Sequence, residues 1–357
     1  MVRIGVAGCG QIAQVRHLPE YAANGDCQIV SVYDKDVKCA NEQANKYGCK
    51  AYWEDFEAFL ASGIDAVSVC VPNALHYAFA ERCLRAGKHV LCEKPLAVTL
   101  EECEGLVRAA EETGKTLMVG QNQRYNAAHQ LARELIRAGE IGDIVGFALT
   151  FGHSGPEKWV GRQDPWFFYR DKAQYGSIMD LGVHKIDLLR YLTGLEAEEV
   201  SALIATVDKK FSNGAPIEVD DNAIYLLRMT NGAIGTVKAS WTFYAGEDNS
   251  TRIYGTKGCL RIFDDPDHSV VVAKSDGSVI ERDLERMSTN AEQFRGAARS
   301  TGVVDAFVQA ILEGKQPHSN GADVLKSMRV MFAGVQAAQT KRAVRMADFT
   351  GVAKHDS

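Results

Sequence analysis

Between residues 3 and 120, short apolar runs alternate with segments of helical period, and this alternation constrains the fold more than anything else in the chain. Residues 3–7, 28–34, 66–71, 88–92 and 116–120 read as strands. Residues 12–23, 35–47, 74–86 and 100–113 read as helices between them, the last two stopped by Gly87 and Gly114. Strands separated by helices pair in parallel, and right-handed crossovers then cover both faces of the sheet. Runs such as AVSVCV show no polar alternation, as a strand buried on both sides requires. The expectation is an α/β domain, a Rossmann doubly wound parallel sheet, over residues 1–122.

The pattern changes after Asp143. Residues 144–151 form a strand, 152–175 a loop rich in glycine, tryptophan and charge, and 177–192 a helix stopped by Gly194. From 198 to 282 strand follows strand, with turn pairs at Asn231-Gly232 and Asp276-Gly277 and another turn at Thr256-Lys257-Gly258. Helices over 303–312 and 321–339 close the chain. This predicts a C-terminal α+β domain, residues 123–357, with an open, mostly antiparallel sheet. One face should pack on helices. The apolar content of TVKASWTF makes the other a subunit interface, so a homo-oligomer is expected through this sheet.

A chain of 357 residues has room for two such cores. Its net charge of −6, with no Lys/Arg-rich block, argues against a nucleic-acid partner. The nine cysteines are odd in number and contain no CxxC pair, which gives neither a disulfide framework nor a zinc site. They read as buried thiols in a reducing cytosol, and no metal is expected. The opening MVRIGVAGCG has no basic segment before a long apolar stretch, and no run approaches the roughly 18 apolar residues of a membrane helix. The expected location is cytoplasmic, with no membrane partner.

Gly8-Cys9-Gly10-Gln11-Ile12-Ala13 follows the first strand and opens a helix, the GxGxxA form of a dinucleotide loop. Gly8 permits the tight turn, Gly10 lets backbone approach a pyrophosphate, and Ala13 allows close helix–strand packing. Gln11 and Ile12 lie at the helix N-terminus, where free N–H groups suit an anion. Asp34 ends the second strand, where a carboxylate binds ribose hydroxyls and repels a 2′-phosphate, so NAD is expected ahead of NADP; Lys35 beside it leaves room for the latter. A glycine turn without nucleotide, or a methyltransferase loop, is the competing reading.

Glu93-Lys94-Pro95 follows the strand 88–92, at the sheet end where α/β proteins bind ligands. Pro95 keeps Lys94 out of helical conformation. A lysine held there could reach a substrate hydroxyl; it could equally be a surface lysine in a turn. Asp180 and His184 lie four residues apart on one helix face, with Asp187 further along it. Gly182 between them costs a helix about 1 kcal/mol relative to alanine, so something should pack close there. Alcohol oxidation needs a base poised near neutral pH, which histidine supplies. A buried structural histidine or half of a metal site are the alternatives.

VAGCGQIA, CVPNALHYAFAERCLRAGKHVLCEKPLAVTLEE and GSIMDLGVHKIDLLRYLTG together resemble the glucose–fructose oxidoreductase / inositol dehydrogenase / MocA-type family, essentially from end to end. The resemblance implies that Lys94, Asp180 and His184 form the catalytic group, with His184 as base, Lys94 holding the oxygen and Asp180 orienting substrate or lysine. It implies that Pro72, Asn73, His76 and Glu93 line the cofactor site, and that Gln121, Asn122, Arg124 and Tyr125 of QNQRY lie near nicotinamide and substrate. The family often carries two or three glycines before the Asp motif. Here the run is Gln174-Tyr175-Gly176-Ser177, so Tyr175 would reach into the substrate pocket.

Trp159, Arg162 and Trp166, in the loop before the catalytic helix, either wall a sugar ring or close the core; the sequence leaves both open. The expected function is hydride transfer between NAD, held tightly in one variant of this reading, and a secondary hydroxyl of a sugar, inositol or glycoside, the C3 hydroxyl of a glucoside among them. An NAD-dependent glycosidase acting by transient oxidation and a catalytically silent sugar-sensing regulator are the alternatives.

Overall fold

The computed structural model describes residues 1–284 and 300–352. The chain divides into two compact units. The first holds Met1–Asn122 and a later segment ending at Leu325; the second holds the intervening chain from Gln123 and the stretch from Lys326 onward.

The first unit is built on six parallel strands: β1 Val2–Ala7, β2 Cys27–Tyr33, β3 Lys50–Tyr52, β4 Ala66–Val69, β5 His89–Cys92 and β6 Leu117–Val119. Their order is β3-β2-β1-β4-β5-β6, so the winding reverses between β1 and β4. This is the order that gives a dinucleotide crevice at the strand C-termini. Every residue of β4 is buried, in line with its unbroken apolar sequence. Local signals set the helix ends. Thr99 and Glu102 form a capping box at the start of Leu100–Thr113, and Gly114 ends it at φ 65°. The Asp36 side chain caps Val37–Tyr47 by accepting the Lys38 and Cys39 amides, and Gly48 ends it at φ 66°. The short β3 and the helix Phe56–Leu60 were not legible in the pattern.

The helix Val303–Glu313, read in sequence as part of the C-terminal domain, belongs to the first unit. Glu20 accepts the Thr301 backbone N–H and hydroxyl, and the Ser319 carbonyl receives the N–H of Val119 at 2.9 Å. The segment thereby covers the first helix and the edge of β6.

The second unit carries nine strands: β7 Ile144–Gly152, β8 Ala197–Ala205, β9 Asn222–Met229, β10 Ile234–Ser240, β11 Thr251–Gly255, β12 Gly258–Ile262, β13 Val270–Lys274, β14 Val279–Arg282 and β15 Val344–Arg345. Their order is β14-β13-β12-β11-β7-β10-β9-β8-β15. All pairs are antiparallel except β7 with β10. Strand β9 alternates cleanly: Ala223, Tyr225, Leu227 and Met229 point into the core, Ile224, Leu226 and Arg228 outward. The helix Gly321–Thr340 packs so closely on the inner face that a Cβ at Gly334 would lie 2.0 Å from the Tyr225 ring. The outer face leaves Leu203, Ile224, Leu226 and Ile234 exposed.

Candidate active site

The candidate residues divide between the two units. In the first, Gly8 has φ 93° and its amide donates to the Tyr33 carbonyl at 2.7 Å. A Cβ there would lie 2.5 Å from the Cys70 carbonyl oxygen, so only glycine fits. Gly10 is the opposite case: among the described residues nothing lies within 4 Å of a Cβ built on it. That open cradle, at the start of the helical segment, is the space a pyrophosphate needs. Asp34 is half-buried and accepts the amides of Cys9 at 2.7 Å and Asp36 at 2.9 Å, which fixes its carboxylate beside the loop. Gln11, Ile12 and Pro72 are half-buried and Lys35 is exposed. These residues fit a dinucleotide.

Two residues expected to line the cofactor site make hydrogen bonds within the protein. His76 is 1% exposed, with Nδ1 2.6 Å from the Pro95 carbonyl and Nε2 2.9 Å from the Val71 carbonyl. Burial lowers its pKa, and the ring fastens the loop after β4 to the Lys94-Pro95 turn, whose peptide bond is cis. Glu93 is also buried: it pairs with His17 Nε2 at 2.8 Å and accepts the Lys94 amide at 3.1 Å. Burial pushes its carboxyl up, but the His17 hydrogen bond and the charges of His17, Arg16 and Lys94 outweigh that and hold it at about 2. Lys94 itself is half-buried. Gln121, Asn122 and Asn73 are buried, and the Asn122 side-chain oxygen has no protein partner among the described residues. It is therefore a polar group left for a ligand or water.

In the second unit the helix that carries Asp180 and His184 opens as a π turn, Ile178–Gly182, and continues as Val183–Thr193. Such turns recur at functional sites. Asp180 and His184 are both buried on this stretch, and Asp180 accepts the indole N–H of Trp241 at 3.1 Å. His184 packs on the Phe151 ring, 6.1 Å between centroids. Gly182 lies in close packing: a Cβ would lie 2.3 Å from the Ile178 side chain and 3.5 Å from Ala239. The helix start is clamped by buried Asp220, which accepts the amides of Gly176 and Ile178 and the Ser177 hydroxyl. Burial raises the pKa of Asp220 against those three bonds. Lys185 is wholly buried, donates to the Asn249 carbonyl and the Thr251 hydroxyl, and is brought down to about 7 by burial.

Arg124, expected near nicotinamide and substrate, is engaged by the protein. Its guanidinium makes a two-pronged ion pair with Asp187, Nε 2.6 Å from Oδ2, and both side chains are buried; Ser327 also donates to Asp187. Tyr125 and Tyr175 are half-buried and Arg162 is exposed. Trp166 stacks on Phe167 at 3.8 Å and Trp159 meets it edge-on, while Phe167 packs on Trp241. These aromatics thus belong to a hydrophobic cluster behind Asp180. Trp241, Asp220 and Lys185 escaped sequence reasoning. No local motif marks the first two, and Lys185 looks like any helix lysine.

A phosphate cradle on a doubly wound sheet, joined in one chain to a Lys94-Pro95 turn and a buried Asp/His helix, defines a dinucleotide-dependent oxidoreductase. Residues 2–121 match the oxidoreductase family with an NAD-binding Rossmann fold, and residues 129–261 match the GFO/IDH/MocA C-terminal domain. The chain is similar to inositol 2-dehydrogenase of Rhizobium meliloti (27% identity, 97% of this chain, 99% of the relative). It is similar also to 1,5-anhydro-D-fructose reductase of Ensifer adhaerens (30% identity, 97% and 99%). The crystal structure of aldose-aldose oxidoreductase from Caulobacter crescentus superposes with a TM-score of 0.81 at 29% identity, covering 96% of this chain and 99% of that one. The chain belongs to the Gfo/Idh/MocA oxidoreductase family, and its first unit is the NAD-binding domain.

Proposed function

We propose that this enzyme moves a hydride between NAD and a secondary hydroxyl of a sugar, inositol or glycoside. The observation that carries the reading is the buried Asp180–His184 stretch, with Asp180 held by Trp241. Relatives named for inositol, an anhydro sugar and aldoses support the substrate class. When bound, NAD supplies the hydride acceptor. We assign His184 the hydroxyl proton, Asp180 the orientation of the substrate, and Lys94 a hydrogen bond to a substrate oxygen. The half-buried Asp34 favours NAD over NADP.

The outer face of the nine-stranded sheet, with Leu203, Ile224, Leu226 and Ile234 exposed, is the surface through which we expect copies of the chain to associate. All nine cysteines are free thiols, which fits work in the cytoplasm.

The test is reduced-nicotinamide absorbance on purified protein against inositols, free aldoses and glycosides, with NAD, NADP or no addition. Reduction with one class and NAD supports the reading. Sugar release from a glycoside without net reduction favours the glycosidase. Aldose-to-aldose exchange without added nucleotide, with NAD released on denaturation, points to a retained cofactor. Silence towards every polyol, with no nucleotide bound, overturns it.

A further inference from the structure

We propose that the buried His17–Glu93 pair is a positioning device that locks the Lys94 turn to the helical segment behind the phosphate loop. This rests on the role given to Lys94 above. His17 closes the π turn Ala13–His17 that directly follows the GxGxxA loop, where the Leu18 amide donates back to the Ala13 carbonyl. Both its ring nitrogens are engaged: Nδ1 lies 3.0 Å from the Ser68 hydroxyl in β4 and Nε2 2.8 Å from Glu93 Oε1. The Tyr21 hydroxyl, one turn further along, closes on the same Ser68 hydroxyl at 2.7 Å.

Glu93 stands immediately past β5, its own amide bonded to the Val69 carbonyl at the end of β4. Its second oxygen, Oε2, receives the Lys94 amide at 3.1 Å. Beside it, after β6, a Cβ at Gly120 would come within 3.2 Å of the carboxylate, so the carboxylate fills the room a side chain would take. Glu93 and His17 together therefore join the helical segment after β1 to the ends of β4 and β5, with Gly120 after β6 packed beside them, and the second carboxylate oxygen holds the residue that presents the lysine. His76 fastens the other side of the same turn through the Pro95 carbonyl. With both ends of the turn fixed, the lysine backbone has one position, which is what a side chain delivering a hydrogen bond to a reacting oxygen requires.

Glu93→Gln tests this in the full chain. A Gln side chain keeps one acceptor for His17, but its amide nitrogen cannot accept the Lys94 N–H. The Lys94 amide should then exchange hydrogen with solvent at least about tenfold faster, while Val119 in β6 is unchanged. NAD Kd should move less than about threefold and kcat fall about 10- to 100-fold. His17→Phe should behave likewise, and His17→Gln, which can still donate to Glu93, should recover most of the loss. In a Lys94→Ala background Glu93→Gln should cost nothing further, because its effect runs through the lysine. Unchanged Lys94 exchange in folded Glu93→Gln overturns the proposal, and so does a full loss of kcat that persists in Lys94→Ala. Near-normal turnover of Lys94→Ala alone would remove the role of the lysine itself, a failure visible before any Glu93 variant is made.

Discussion

The indole nitrogen of Trp241 donates to the carboxylate of Asp180 across 61 positions of sequence, at 3.1 Å, and both residues are buried. A buried carboxylate keeps its charge and direction only while such donors remain. Trp241→Phe preserves the aromatic packing against Phe167 and Phe168 and removes this one donor. A bond to a charged group contributes about 1.5–3 kcal/mol, so kcat/KM should fall roughly tenfold or more. Steady-state kinetics with a folded variant check it; an unchanged kcat/KM would show that Asp180 does not depend on Trp241.

Gly8 and Gly10 should separate folding from binding. Gly8→Ala forces a side chain into a φ of 93° and against the fixed Cys70 carbonyl, and should cost at least about 2 kcal/mol of stability. Gly10→Ala meets no described protein atom, so its Tm should not move, yet NAD Kd should rise at least about tenfold as the methyl enters the cradle. Melting curves and NAD titrations of the two variants give the answer.

Asp34→Asn removes the charge that would repel a 2′-phosphate. The preference for NAD over NADP, measured as a ratio of kcat/KM values, should drop about tenfold or more. A preserved ratio would detach Asp34 from ribose recognition.

Lys94→Ala and His184→Ala should each lower kcat by about two to four orders of magnitude while NAD still binds within about threefold of the parent affinity. Near-normal turnover in either variant would remove that residue from the chemistry.

Glu93 makes a pH prediction. Its folded pKa of about 2 lies below the ordinary value of 4.5. Its contribution to stability is therefore complete above pH 4.5 and lost as pH falls through the window down to about 2. Urea unfolding at neutral pH and at a pH inside that window should show a smaller acid loss in Glu93→Gln than in the parent. Equal losses would mean that other carboxylates govern the acid limb.

Much of this was legible in the chain. The helix Leu100–Thr113 carries its capping box and its stop glycine in sequence, and GxGxxA marked the tight turn after β1 beside Asp34. What stayed hidden depends on pairing over long distances. The return of the segment near Thr301 to Glu20 rests on two hydrogen bonds that no periodicity reveals. Sequence also cannot tell a polar side chain offered to a ligand from one already satisfied. His76 and Arg124 have ligand-binding chemistry, but two carbonyls occupy the first and Asp187 the second. The aromatics before the Asp/His helix stayed open in sequence for a similar reason, since a tryptophan that packs on Phe167 has the same letters as one that packs on a pyranose.

The parallel pairing of β7 with β10 has a consequence for assembly. β7 lies between β10 and β11, so both its neighbours come from later in the chain. On an emerging polypeptide it has no partner until β10 has been made to Ser240, and its second only once β11 has been made to Gly255. Asp180 and His184 lie between β7 and β10 in sequence, and their helix packs on both strands. Local hairpins can form early, but closing this sheet must wait for contacts of high sequence separation, which are slow to form. The Asp180/His184 helix thus acquires both strands of its bed only after Ser240, 56 positions beyond His184, and a chain truncated or stalled before β10 carries the Asp/His motif without the surface that orders it.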